Sequence, residues 1–203
     1  MIPFPLDPAR QRELLAEVGF VATDVDGTLT TAGVLTAAVV EAIGALAALD
    51  VEVLPVSGRA AGEVLGLVRY LPGVRRGIAE NGQVLVEADR ALTWLAAPPD
   101  RAAIEAVARE IAAGQGDPLV LAPDWFCRVG DVAFERAGRP DSAIAPLAEA
   151  ASQRGLHVVW SSVHIHFSAS PPDKGAALMK VLDSIGIARR SVLTMGDLSL
   201  IHI

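Results

Sequence analysis

The sequence predicts an α/β fold: a parallel sheet with helices packed on it, interrupted by a smaller inserted α+β module. Three observations predict it. Over residues 19–70, apolar runs of strand length alternate with helix-length periodic segments across short links, the pattern of a βαβ unit. Apolar residues make up 52% of the 203-residue chain, yet aromatics only 4%, so Ala, Val and Leu carry the core. That composition suits helices on a parallel sheet better than an aromatic-rich all-β protein. After residue 82 the rhythm changes to neighbouring strands alternating with two helices, which marks an α+β insertion.

In chain order, residues 11–18 read as a short amphipathic helix leading into an apolar strand that ends in Asp24 and Asp26. A Gly-Thr turn follows, then a helix over 36–49 with Thr36 as its N-cap. The apolar run 51–57 is a second strand; it ends in Ser57-Gly58-Arg59 ahead of a helix over 60–70. Residues 83–87 and 92–95 read as a hairpin with its turn at 88–90. Pro98-Pro99-Asp100 opens a helix to about residue 113, followed by strand-like 119–121 and 126–134 and a helix over 140–154. Segments 157–160 and 163–168 read as paired strands. Pro171-Pro172 is a hinge, Asp173 caps a helix reaching about residue 185, and 191–195 is a last buried-type strand ending in Gly196-Asp197.

The formal net charge of −7, without a Lys/Arg cluster, argues against non-specific nucleic-acid binding and against an anionic membrane surface. A small anionic ligand stays compatible, because a metal and one or two local cations reverse the sign of a pocket. The single cysteine, Cys127, excludes an internal disulfide, fits a reducing compartment and reads as a small buried hydrophobe. No apolar run approaches the roughly 20 residues of a membrane span. The proline-bearing N-terminus lacks a basic segment ahead of an apolar one, so it does not read as a signal peptide and a cytoplasmic protein is expected.

Chemistry concentrates at strand ends. Asp24 and Asp26, Ser57, and Asp197 each follow a strand, and in a parallel sheet such groups converge in one crevice beyond the carboxyl ends. Lys174, at a helix N-terminus, joins them. An ionised Asp24 attacks phosphorus without a general base, whereas Asp26 is placed to protonate a leaving alkoxide and then activate water. Asp24 and Asp197 offer the hard oxygens that Mg2+ takes together with phosphate oxygens and waters. Ser57, the amides after it and the Lys174 ammonium suit the phosphoryl oxygens. This set fits hydrolysis of a phosphate monoester, a reaction that needs charge neutralised and a nucleophile held in line.

Four motifs carry a family resemblance. Asp24-Val-Asp-Gly-Thr-Leu29 resembles the first motif of the haloacid dehalogenase superfamily. Ser57-Gly-Arg59 resembles the second, Lys174-Gly175 the third and Met195-Gly-Asp197 the start of the fourth, while Ala79-Glu-Asn-Gly82 is similar to the segment closing the core ahead of a large cap. The resemblance implies a Rossmann-like core over 1–82 and 171–203 and a cap over 83–170, inserted between the second and third motifs. It implies Asp24 and Asp26 as catalytic residues, Ser57, Gly58, Asn81 and Lys174 as substrate-binding residues, and Asp24, Asp26 and Asp197 as ligands of Mg2+. Asp124-Trp125-Phe126, residues 151–155 and the strand before Asp173-Lys174 look most like archaeal-type phosphoglycolate phosphatases, close to the sucrose-phosphatase-like group. The implied substrate is a small phosphorylated metabolite such as 2-phosphoglycolate. A sugar phosphate or mannosyl-3-phosphoglycerate is the alternative, because only the cap distinguishes these enzymes; a phosphomutase is disfavoured.

The fourth motif departs from the family pattern. Leu200 and Ile201 stand where an Asn-Asp pair is expected, and the ending resembles a truncation or a frameshift. Weaker metal binding is then expected, together with an apolar face that a homodimer or another partner would cover. The same departure supports an alternative of another class, a catalytically impaired phosphate-binding or interaction module. His164 and His166 alternate on one strand face and, lacking a third His or Cys to join them, read as packing or cap-face residues. Arg128 reads equally as a pocket-entrance or a surface residue, Trp125 and Glu80 as candidates for the pocket entrance, and Arg75-Arg76 as a solvated loop.

Overall fold

A computed structural model of the chain describes residues 16–89, 92–116 and 118–196. In chain order its strands and helices are β1 (Phe20–Thr23), α1 (Ala37–Ala48), β2 (Glu52–Pro55), α2 (Ala61–Tyr70), β3 (Arg76–Ala79), β4 (Val84–Glu87), β5 (Thr93–Trp94), α3 (Arg101–Gly114), β6 (Val132–Glu135), α4 (Asp141–Ser152), β7 (His157–Trp160), β8 (His164–Ser168), α5 (Lys174–Ile185) and β9 (Val192–Met195). The expected parallel sheet has the order β2-β1-β9, with Thr23 level with Pro55 on one side and Met195 on the other. Of the expected leading helix, residues 11–15 lie outside the described residues, and Ala16 and Glu17 form a turn.

Local chemistry explains the helix starts. The Thr36 hydroxyl accepts from the Val39 amide at 3.4 Å and the Asp173 carboxylate from the Ala176 amide at 2.7 Å, each satisfying an otherwise orphaned donor. Gly186, in the left-handed conformation at φ 73°, ends α5. Alternation along the strands sorts the core. Phe20 and Ala22 pack with Leu54, Ile78 and α5, whereas Val21 and Val53 pack with Val64, Val68 and Ile43 on the opposite face.

One strand was not legible in the sequence. β3 pairs antiparallel with β4, and a parallel bridge between Val56 and Ile78 joins it to the end of β2. Gly77 and Ala79 hide it from a hydrophobic pattern. Gly77 is small for a reason: a Cβ there would lie 2.5 Å from Val64 Cγ1 on α2. Arg76, expected in a solvated loop, opens this strand with Nε 2.9 Å from the Glu52 carboxylate. The expected hairpin exists as β4–β5, but Val84, Leu85 and Val86 pack in the two clusters flanking the parallel sheet. The hairpin therefore packs with the core, although the inserted module was expected to begin at residue 83.

The α+β module follows. Helices α3 and α4 cover one face of a sheet of order β6-β8-β7, antiparallel throughout. Phe134, Ile165 and Phe167 point into that interface with Ile104, Ile111, Ile144 and Leu147. The Phe134 and Phe167 rings meet edge to face at 5.6 Å, a contact worth about 0.5–1.5 kcal/mol beyond area burial. By alternation His164 and His166 project from the uncovered face. The strand expected over 126–134 is a 3-10 turn at Trp125–Cys127 followed by β6, and of 119–121 only Leu121 bridges to Phe134. No helix among the described residues is long and apolar enough to cross a membrane.

Candidate active site

A cleft of about 1220 Å3 lies between the carboxyl ends of β1 and β2 and the uncovered face of the module sheet. Asp24, Asp26, Ser57, Gly58, Asn81 and Lys174 all line it, so the structure brings together every described residue expected in the site. Asp197 lies outside the described residues. The strand leading to it is beside Asp24, whose amide donates to the Met195 carbonyl at 2.9 Å.

Asp24 terminates β1 and is 7% exposed. Its Oδ1 accepts from the Val25 amide at 2.7 Å and its Oδ2 from Lys174 Nζ at 3.1 Å. The next residues form a tight turn: Gly27 sits at φ 76°, and the Thr30 amide closes onto the Val25 carbonyl at 2.9 Å. The turn carries the Asp26 side chain out to 56% exposure, where Arg59 donates to both its oxygens, Nη2 to Oδ1 at 2.6 Å and Nε to Oδ2 at 3.0 Å. Arg59 also reaches Glu63 at 3.0 Å, and the hydrogen bond to Asp26 raises its pKa despite burial. The two catalytic candidates thus differ in setting, Asp24 buried beside an ammonium and Asp26 exposed and held by a guanidinium.

The second strand end is equally constrained. Ser57 is 1% exposed; its amide donates to Ile78 at 2.9 Å and its Oγ accepts from the Arg59 amide at 3.1 Å. The Asn81 amide donates to the Ser57 carbonyl at 3.0 Å, and the Asn81 side chain lies on Gly58, where a Cβ would be 2.8 Å from Oδ1. Gly82, at φ 99°, approaches the start of α5 so closely that a Cβ would stand 2.6 Å from the Asp173 carbonyl. Only glycine combines that dihedral with that approach, and the contact sets where Lys174 enters the cleft.

Two residues weighed for the pocket entrance, Glu80 and Arg128, are tied into buried networks that the sequence did not reveal. The Glu80 carboxylate is fully buried and accepts from the amides of Ala61 (2.9 Å), Val129 (2.9 Å), Gly130 and Asp131 (2.9 Å), tying the start of α2 to a loop of the module. Burial, and then the charge of Asp131, push its carboxyl above the ordinary range, while the amides of Val129, Ala61 and Gly130 oppose them. Arg128 is 2% exposed and lines the cleft, which favours the pocket-entrance reading over the surface one. It meets Asp124 at 2.6 Å and Asp131 at 2.8 Å, and its Nη1 donates across to the Gly58 carbonyl at 3.2 Å. Burial disfavours its charge, yet the two carboxylates hold its pKa above the ordinary value. Asp131 is pulled below the usual carboxylate range, against burial, by His166 and Arg128. Cys127 is part-buried with Cβ close over Gly62 of α2. Trp125, expected at the pocket entrance, is 52% exposed.

No family model matches the chain. Curated relatives do. A phosphoglycolate phosphatase of Halorubrum lacusprofundi is 32% identical over 179 residues, spanning 87% of this chain and 75% of its own. One from Metallosphaera sedula is 30% identical over 189 residues, spanning 89% and 78%. Among solved structures, a Thermoplasma acidophilum protein superposes with TM-score 0.78 at 18% identity, over 92% of this chain and 81% of its own. A haloacid dehalogenase-like hydrolase from Bacteroides thetaiotaomicron gives 0.72 at 17% identity, over 91% and 85%. The sucrose-phosphatase of Synechocystis, solved with sucrose and phosphate, gives 0.66 at 14%, over 90% and 78%. The chain belongs to the haloacid dehalogenase superfamily of phosphatases. It is a phosphoric monoester hydrolase, similar in sequence to phosphoglycolate phosphatases.

Proposed function

We propose that this enzyme is a Mg2+-dependent phosphatase that hydrolyses a small phosphorylated acid, 2-phosphoglycolate, through an aspartyl-phosphate on Asp24. The observation that carries this reading is the setting of Asp24. It is a buried carboxylate at a strand end, one oxygen anchored by a main-chain amide and the other beside an ammonium, facing a cleft wide enough for a small ester. The amide bond fixes the carboxylate for in-line attack on phosphorus. The carboxylate oxygen bonds to phosphorus as the ester oxygen leaves with its electron pair. Asp26, on the rim, has to turn from Arg59 and take a proton from solvent; it delivers that proton to the leaving oxygen and, as the carboxylate, then takes one from the water that cleaves the acyl phosphate. Ser57 and Lys174 hold the phosphoryl oxygens.

The family implies Mg2+, and the donor chemistry fits it. Each Asp24 oxygen accepts one recorded hydrogen bond, which leaves hard-oxygen lone pairs toward the cleft. As oriented, Asp26 gives its carboxylate to Arg59, and among the described residues no three His, Cys, Asp or Glu side chains are arranged so that they could hold a metal ion. Asp24 with Asp197 are the ligands proposed; bound there, the ion would neutralise charge on the transferring group. The α+β module acts as the cap that encloses the substrate, and a cytoplasmic enzyme is proposed. A second reading, a sugar phosphate, draws support from the Trp160-Ser161-Ser162 wall of the cleft.

Phosphate release from 2-phosphoglycolate and a panel of sugar phosphates, with and without Mg2+, tests the proposal, with Asp24→Asn as control. Mass spectrometry of acid-quenched enzyme is expected to find a phosphoryl group on the peptide bearing Asp24. Turnover that survives Asp24→Asn, or that ignores chelation of Mg2+, would sink the mechanism. Preference for a sugar phosphate would transfer the proposal to the second reading.

A further inference from the structure

The cations lining the cleft are already engaged. Lys174 meets Asp24, Arg59 meets Asp26 and Glu63, and Arg128 meets Asp124 and Asp131. A phosphorylated acid has a second polar end, and on the cap side of the cleft one ring nitrogen stands ready for it. His166, on β8, lines the cleft at 7% exposure. Its Nδ1 lies 2.9 Å from Asp131 Oδ2, and because an ionised carboxylate only accepts, Nδ1 is the protonated donor. Asp131 is itself pinned at its other oxygen by Arg128 and at its amide by Glu80, so the imidazole is oriented by a rigid partner. Nε2 has no protein partner recorded among the described residues and is not a buried orphan, which leaves it open to the cleft. Around the ring stand His164, 5.9 Å away between centroids, Ala133 of β6 and Val159 of β7.

We propose that His166 is a specificity-determining residue, its Nε2 hydrogen-bonding the oxygen-bearing group at the non-phosphate end of the substrate; for the carboxylate of a phosphorylated acid, which only accepts, Nε2 takes a proton from solvent as the acid binds, and the imidazolium then donates from Nδ1 to Asp131 and from Nε2 to the substrate. The inference rests on the phosphatase reading above and deepens it. Asp131 and Arg128 are positioning residues: the same guanidinium that braces Asp131 also reaches the Gly58 carbonyl in the phosphate-binding turn. The two ends of the substrate would therefore be gripped from one buried network.

The test compares kcat and KM for 2-phosphoglycolate and for phenyl phosphate, which has no polar tail. His166→Asn keeps a donor where Nδ1 sits, toward Asp131, and removes Nε2 from the cleft. KM for 2-phosphoglycolate is expected to rise about tenfold or more, the scale of a lost hydrogen bond to a charged group. Against phenyl phosphate kcat/KM is expected to stay within about threefold. An equal loss on both esters, or no loss on either, overturns the proposal. If His166→Asn does not fold, His166→Gln, which keeps a donor near Nε2 and gives up the Asp131 bond, is expected to retain the discrimination, and its collapse overturns the inference. A wild type that rejects 2-phosphoglycolate but hydrolyses a sugar phosphate refutes the acid reading alone, and His166 is then judged by the same ratio for that ester. A wild type that hydrolyses no ester refutes both.

Discussion

Replacing Glu80 by Gln removes no volume and one charge, yet the structure makes it a severe change. Oε1 accepts from the amides of Ala61 and Val129, and Oε2 from those of Gly130 and Asp131, in a site with no exposure. Glutamine places an NH2 at one of these two positions: at Oε2 it faces the Gly130 and Asp131 amides, and at Oε1 it faces Ala61 while Val129 keeps its 3.2 Å bond to Oε2, so, counting the NH2 itself, at least two buried donors face one another in either orientation. A buried donor left without a partner costs about 1–3 kcal/mol, which puts the loss at about 2–6 kcal/mol. For a chain of this length each kcal/mol moves Tm by about 2–4 °C, so a fall on the order of 10 °C is expected. Denaturant unfolding of wild type and Glu80→Gln at pH 8 measures it, with the midpoint rather than the slope expected to change. Because the freed loop carries Arg128 and Asp131, kcat/KM should fall as well. A variant within about 1 kcal/mol of wild type would refute the pincer role assigned to this carboxylate.

Two further outcomes follow from the site. Lys174→Ala leaves the Asp24 carboxylate without its ammonium, and kcat/KM for any phosphate ester is expected to drop by about 10²-fold or more; steady-state kinetics with Asp24→Asn as the floor checks it. Burial lowers the His164 pKa from its ordinary 6.5, helped by His166 and Arg128 and opposed by Asp124 and Glu135. The unfolded chain then binds the proton first, so this residue's contribution to stability is complete above about pH 6.5 and is lost as pH falls through the depressed folded value. Replacing His164 by Gln should flatten that acid limb, and identical midpoint-versus-pH curves for the two proteins would contradict it.

Where a residue's place follows from its own stretch of chain, the sequence was a sufficient guide. Asp24, Ser57 and Lys174 were each legible because strand ends and helix starts are set by short-range pattern, and a parallel sheet brings such ends together. Thr36 and Asp173 were readable as caps for the same reason, since a cap bonds an amide three residues away. Elements whose composition contradicts their position were not readable. β3 was hidden by Gly77, which is small because Val64 of α2 stands over it. Phe126 and Cys127 were read into a strand but lie in a 3-10 turn with Phe126 exposed, while the charged Arg128 beside them is buried.

By itself the sequence determined the α/β class, the first strand-helix repeats, the caps, the paired strands β7 and β8, and the convergence of the acidic, hydroxyl and ammonium groups on one crevice. These depend on periodicity and on the rule that parallel strands share a carboxyl end. Only the tertiary structure decided that the β4–β5 hairpin packs with the core, that Arg59 holds Asp26, that Glu80 binds a loop 50 residues away at Gly130, and that Arg128 links His166 to Gly58 through Asp131. A buried charge is stable only when its partners are already in place. Those partners lie on elements far apart in the chain, so no local pattern records which of them will meet.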